Sequence, residues 1–415
     1  MLGTVTIIFS LLLGMAALLM GVGLMGTTLG LRAAVEGFSP GVTGVVMSAY
    51  FVGYVIGTRW CPGMIRRVGH IRAFAAMASV ASTAILCHSM LVTPVVWTVL
   101  RVITGTCMVG LYLSVESWLN ALASNTNRGR LFAVYQIVCL SALAVGQFLV
   151  LAGDVAGFVP FVLSSLLISL SLVPVALTTV EQPAAVPGSG AVALKHLVRL
   201  SPSAMGGALG SGLLNGTLWG MGPLFAHLAG RDEMGVASFM AVLILGGALL
   251  QWPVGWLSDR MDRRLVLAGV GVCGAVCAVA VAATATAPLP WLLGTAFFYG
   301  GMAFSVYGLS VAHMNDMVEP HHALEAARGI MLLHGVGAMI GPIVGGLLMG
   351  ALGPGALMGF MAVVLALVGG FCLLRRVARK RSGAGQTGFV PMLRTTQAAF
   401  EMDPRMEEEP EKQSS

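Results

Sequence analysis

At 415 residues, with 57% hydrophobic and only 10% charged positions and a mean hydropathy of +0.89, the chain lacks the mixed-charge surface of a water-soluble protein. Its net charge of +6 is scattered over separate loops, which argues against nucleic-acid binding. Long apolar runs such as Ile7 to Met20 do not alternate as barrel strands would, so the bilayer must be crossed by helices.

A hydrocarbon core of about 30 Å takes about 20 apolar residues per helix. Twelve such spans are predicted, starting near residues 5, 42, 71, 94, 130, 156, 203, 235, 264, 290, 326 and 355. The first, Thr4 to Leu31, has neither a basic leader nor an A-x-A cleavage site and exceeds a signal-peptide core, so it is expected to remain as a span. The second carries Tyr50 and Tyr54 one turn apart. The fourth holds Arg101, about 10 Å from its outer end at about 1.5 Å per residue, and closes at Glu116. The fifth opens on Arg128-Gly129-Arg130 and carries Gln136 and Gln147.

After the sixth span the polar, turn-rich stretch 181–202 contains Pro183, Pro187, Gly188, Lys195 and Arg199 and reads as a linker. The seventh span places Asn215 and Trp219 four residues apart, and the tenth carries Tyr299 and Tyr307 ahead of Asp316. The eleventh brings Glu325, Arg328 and His334. Beyond the twelfth, Arg375, Arg376, Arg379, Lys380 and Arg381 form a juxtamembrane cluster suited to anionic lipid, and the tail 377–415 is expected to be disordered. The expected fold is an all-α membrane protein of twelve helices in two pseudo-symmetric six-helix bundles, 1–180 and 203–376, working as a monomer.

The chain repeats itself. Glu116 and Asp316 lie 200 positions apart, and each is followed twelve residues later by Arg-Gly. A second echo, Pro62 to Arg72 against Gly255 to Arg264, falls at an offset of 193. Offsets near half the length in an apolar chain mean two homologous halves whose interface can hold a solute. Of the 23 Lys and Arg, 20 fall in even loops and the C-terminal tail, which predicts that both termini face the cytoplasm.

Six of the seven cysteines lie inside spans with no C-x-x-C pair and read as small packing residues. No Gly-x-x-x-x-Gly-Lys-Ser/Thr loop cradles a phosphate, His321-His322 has no partners for a metal, and no catalytic constellation assembles, so neither a cofactor, a metal nor an enzyme activity is expected.

These residues resemble the major facilitator superfamily. Its loop signature, roughly G-x-x-x-D-R-x-G-R-R, is matched by Gly255, Asp259, Arg260, Arg263 and Arg264, with Asp262 in the glycine position. The first copy departs, with Pro62 and Arg66 at the glycine and aspartate positions before Arg67, Gly69 and Arg72. Arg101 and Gly105 are similar to the family's R-x-x-x-G, and Gly341-Pro342-Ile343-Val344-Gly345-Gly346 to its G-P-x-x-G-G block. Glu116 to Asn120, Gln251-Trp252-Pro253 and Ala312 to Asp316 look like the YcaD-like branch. The resemblance covers about residues 1 to 376 and implies a carrier of a small solute, facilitative or proton-coupled.

A carrier that alternates access needs reversible charged latches. Glu116 is expected to reach Arg128 and Asp316 to reach Arg328, while Asp259, beside Arg260, meets the start of the fifth span near Arg128 or Arg130. An exchanged pair, Arg66 with Glu325, is expected in the other half. Arg101 either meets an anionic or proton-bearing cargo or bonds to helix 1 carbonyls near Thr27 and Thr28. Cavity candidates are Arg101, Tyr50, Tyr54, Gln136, Asn215 and Trp219, with Tyr299, Tyr307 and His334. With no carboxylate at mid-depth, His334 or the inner acids would have to carry any coupled proton. The reading is therefore a secondary carrier of a small polar or amphipathic organic solute in the inner membrane; the alternative is a receptor or scaffold that keeps the fold without transport.

Overall fold

The structure is a computed structural model that describes residues 2–123, 128–177, 194–318, 322–378 and Phe389, without the side chains of 2–7, 323–325, 377 and 378. Twelve long helices cross the molecule: α1 (Leu2–Val35), α2 (Pro40–Val68), α3 (His70–Met90), α4 (Pro94–Leu122), α5 (Arg128–Phe148) and α6 (Val159–Ala176, interrupted at Ser171) form the first six. The second six are α7 (Pro202–Leu228), α8 (Glu233–Ser258), α9 (Arg263–Thr284), α10 (Leu289–Asn315), α11 (Ala323–Leu352) and α12 (Ala356–Ala378). Every predicted start falls within a few residues of an observed one. The linker predicted over 181–202 lies outside the described residues up to 193 and then holds a short helix, Leu194–Leu200. The tail predicted over 377–415 is likewise outside the described side chains apart from Phe389.

Local chemistry sets the helix ends. Ser39 and Thr93 cap α2 and α4 ahead of Pro40 and Pro94, whose missing N–H costs nothing in a first turn. Asp232 and Asp262 cap α8 and α9. Consecutive helices run antiparallel, so the loops rich in Lys and Arg gather at one end, the basic end, opposite a far end.

Each half is the same packing pattern repeated. In the first, α1 packs on α5 and α6, α2 on α4, and α3 on α4 and α6. In the second, α7 packs on α11 and α12, α8 on α10, and α9 on α10 and α12. The halves meet through α2 with α11, α5 with α8, and α1 with α7.

Eleven of the twelve helices are long and apolar enough to cross a membrane. The other, α7, is long enough at 27 residues but carries seven glycines and Asn215. Its composition follows from its place: most of its residues are buried, and Cβ atoms at Gly212 and Gly216 would collide with the carbonyls of His334 and Ala338 on α11. Close backbone approach between helices requires that loss of side chain. A second such seam joins the halves at the far end, where Gly44 lies against the Pro342 carbonyl and Gly346 against that of Pro40. There Ser48 Oγ also donates to the Met339 carbonyl.

Candidate functional site

Between the halves lies a cavity with about 1170 Å³ of empty space, its open mouth included. Seven helices besides α4 wall it: α1, α2 and α5 from the first half and α7, α8, α10 and α11 from the second. Both halves must therefore be in place for it to exist.

Of the predicted cavity residues, Arg101, Tyr50, Tyr54, Asn215, Trp219, Tyr307 and His334 all line it. Gln136 and Tyr299 do not. Tyr299 is buried within the second half, where its hydroxyl donates to Met361 Sδ at 2.8 Å. Eight residues at about 100° each leave Tyr299 and Tyr307 about 80° apart around α10, so only one of the two expected cavity residues faces it. Gln136 shares a face of α5 with Gln147 but lies three turns nearer the basic end, buried with both amide atoms unpartnered among the described residues.

The sequence reading missed Tyr112, which also lines the cavity. Its spacing of eleven residues from Arg101 brings it to nearly the same face of α4, and that was the available signal. Phe51, Met240 and Phe304 also contribute, adding apolar surface.

Among the described residues, Arg101 is the only Lys or Arg that lines the cavity, and no Asp or Glu lines it. Its guanidinium stands over the Tyr50 ring, 4.5 Å from the centroid, and makes no hydrogen bond to another described residue. The expected alternative of bonds to helix 1 carbonyls is therefore not formed. On α1, Thr27 instead donates to Gln147 Oε1, and Gln147 Nε2 donates to the Leu143 carbonyl at 3.0 Å. Across the cavity, His334 Nδ1 and Ser211 Oγ lie 2.8 Å apart, and the Tyr307 ring meets the imidazole edge-on at 4.6 Å. Trp219 packs against Phe304 at 6.0 Å. Asn215 Oδ1 is buried and unpartnered among the described residues.

The expected latch residues gather at the basic end. Glu116 is fully buried in α4, and the Tyr135 hydroxyl of α5 donates to it at 2.5 Å. Asp316, which caps the end of α10, accepts from Arg263 Nε at 2.6 Å. Arg263 is itself buried and also reaches Asp259 at 3.3 Å and Ser258 Oγ at 3.1 Å. Sequence reasoning had assigned Arg263 only to the signature, although its place at the head of α9 beside the end of α10 was the clue.

Asp259, expected to meet the start of α5, instead caps the end of α8 and accepts from the backbone N–H of Phe389 at 2.8 Å, while the Phe389 ring packs over Gly255. Arg260 stacks 3.8 Å over the Trp256 ring. Asp262 holds Arg264 at 3.3 Å and Arg376 at 3.8 Å. Partial burial pushes the Asp262 carboxyl up, but hydrogen bonds and charge from Arg264, with Arg376, outweigh it and leave the group below its ordinary value.

Arg128 and Arg130 open α5, Arg328 lies in the second turn of α11, and Arg66 is exposed at the end of α2. The proposed partner of Arg66, Glu325, lies outside the described side chains. Among the described residues no group of His, Cys, Asp and Glu is arranged to hold a metal ion.

The family model for the Major Facilitator Superfamily matches residues 2–331 and again residues 207–401. The chain belongs to that superfamily. It is 28% identical over 339 residues to the MFS-type transporter YcaD of Escherichia coli, covering 80% of this chain and 86% of the relative. The YcaD of Shigella flexneri is 28% identical over 345 residues, 82% of this chain and 88% of the relative. Among solved structures, the nucleoside transporter NupG superposes with a TM-score of 0.67 at 16% identity, covering 91% of this chain and 98% of NupG. A bacterial homologue of the human lysosomal transporter Spinster superposes at 0.72 with 15% identity, covering 91% of this chain and 98% of the homologue. At such identities these two likenesses speak for the fold alone. The chain is thus a multi-pass membrane protein of the YcaD-like kind, in a superfamily of secondary transporters.

Proposed function

We propose that this protein is a secondary carrier of the inner membrane, with both termini in the cytoplasm, that moves a small polar or amphipathic organic solute by alternating access. The observation that carries the reading is the central cavity: one cation, several aromatics and a few amides and hydroxyls, supplied jointly by the two halves. A site shared across an interface is exposed to one side or the other as the halves rock. On this reading the far end faces the periplasm, and the α2–α11 seam is a closed periplasmic gate.

Closing the opposite gate falls to the basic end. Glu116, Asp316 and Asp259, with Arg128, Arg130, Arg260 and Arg328, supply ion pairs of modest, reversible energy there, and Arg66 with Glu325 adds an exchanged pair. Proton coupling would draw on His334, the titratable imidazole of the cavity wall. The basic cluster from Arg375 onward rests against anionic headgroups.

The test is counterflow in vesicles reconstituted with purified protein, using any solute that raises its melting temperature. Gly41→Cys with Leu347→Cys, cross-linked across the far-end seam, should abolish exchange, and reduction should restore it. Undiminished flux through the cross-linked protein would rule out the rocking mechanism.

A further inference from the structure

We infer that the cargo is a small organic anion, its carboxylate or equivalent group held by Arg101 and its apolar body laid on the cavity's aromatic rings. The inference rests on the transport reading above and adds the chemical class of its substrate.

Arg101 is partly buried at the cavity wall, and a guanidinium so placed gains from a counter-charge. None is in reach within its own helix: the nearest carboxylate on α4 is Glu116, fifteen residues and about 22 Å along the axis, already bonded by Tyr135. Among the described residues no carboxylate lines the cavity from any other helix either. The single compensation seen is the Tyr50 ring beneath the guanidinium, and a ring quadrupole attracts a cation without neutralising it. Arg101 Nε remains buried with no hydrogen-bond partner among the described residues. A planar fork of N–H donors at the wall of a solute cavity is matched by a carboxylate, which accepts two parallel bonds.

The rest of the wall fixes the remainder of the molecule. Tyr54, Phe51, Trp219 and Phe304 offer apolar faces to an aromatic or branched aliphatic body. On the opposite half, Asn215 Oδ1, unpartnered among the described residues, can accept from a donor substituent remote from the acid group. An organic cation would face Arg101 with no acid to screen it, and a neutral solute would leave the charge uncompensated.

Two measurements on purified full-length protein test this. The first needs no ligand: in the empty protein Arg101→Met should raise the melting temperature, because a partly buried charge with no carboxylate beside it is removed. A fall would show Arg101 to be a structural residue and overturn the inference. The second measures binding of benzoate, phenylacetate and indole-3-acetate beside the neutral benzamide and the cation benzylammonium, by melting shift and by Trp219 fluorescence. At least one anion should bind while its neutral and cationic counterparts bind at least about tenfold more weakly. Arg101→Gln should weaken that anion about 10- to 100-fold, with Arg101→Lys falling between.

Equal binding of the three charge classes, anion binding indifferent to Arg101→Gln, or no anion binding at all overturns the inference. Failure of the transport reading looks different: an anion would bind through Arg101 yet show no counterflow. Conversely, counterflow of a neutral or cationic solute in Arg101→Gln vesicles would leave transport standing and remove the anion.

Discussion

The turn joining α2 to α3 and the turn joining α8 to α9 hold equivalent places in the two halves, yet the first reverses at a positive-φ glycine and the second at a capping aspartate that leads into a buried arginine. At an offset of 193, Gly69 falls on Asp262 and His70 on Arg263. In the first half the chain reverses through Gly69 at φ +86 and ψ 163, and His70 packs its ring toward Trp118 at 6.5 Å. In the second half Asp262 caps α9, while Arg263 gathers Asp316 and Asp259. The duplicated fold thus tolerates two ways of turning the same corner, one through a positive-φ glycine, the other through a side-chain cap followed by a buried arginine.

The largest expected effect separates the two solutions directly. Arg263→Met leaves Asp316 without its buried guanidinium and should cost about 3–5 kcal/mol, read as a lower melting temperature of the detergent-purified protein. The counterpart His70→Leu replaces a ring by an apolar side chain of similar size and should cost less than about 1.5 kcal/mol. Equal losses would mean that the two corners do not differ in what holds them.

Next comes the backbone solution. Gly69→Ala must occupy a conformation essentially reserved for glycine and should cost about 1–3 kcal/mol, whereas Asp262→Ala loses a cap worth about 0.5–2 kcal/mol; urea or thermal unfolding of the pair gives the order. Tyr135→Phe removes one hydrogen bond from buried Glu116 and should cost about 1–3 kcal/mol, read in the same unfolding experiment.

The smallest effect is one of pH. Asp262 has a folded-state pKa lowered from 3.8, so its stabilising contribution is present above that value and is lost as pH falls through the lower folded one. Asp262→Asn should therefore flatten the acid limb of a stability profile below about pH 4, and no variant at Gly69 should do so.

Much of this was legible in the residues. Apolar runs gave the helix starts, because bilayer thickness leaves little choice of length. The one-turn pairs Tyr50 with Tyr54 and Asn215 with Trp219 reached the cavity because four residues return to nearly the same face. Tyr299 failed for the converse reason, as eight residues do not. Gln136 failed through height, since a helical face says nothing of depth. Arg263 was hidden because its partner Asp316 is 53 positions away, on a helix whose neighbour cannot be read from local pattern. The low apolarity of α7 follows from tertiary crowding, visible only once α11 stands beside it.

That glycine seam between α7 and α11 has a mechanical consequence. With backbone touching backbone at Gly212 and Gly216, there is no side-chain cushion in which the two helices could shift independently. Asn215 and His334 are then fixed points on one stiff plate, and their separation should serve as an internal ruler that stays constant through the working cycle. Arg101 stands on the other plate, so probes placed near it and near His334 would register the stroke itself.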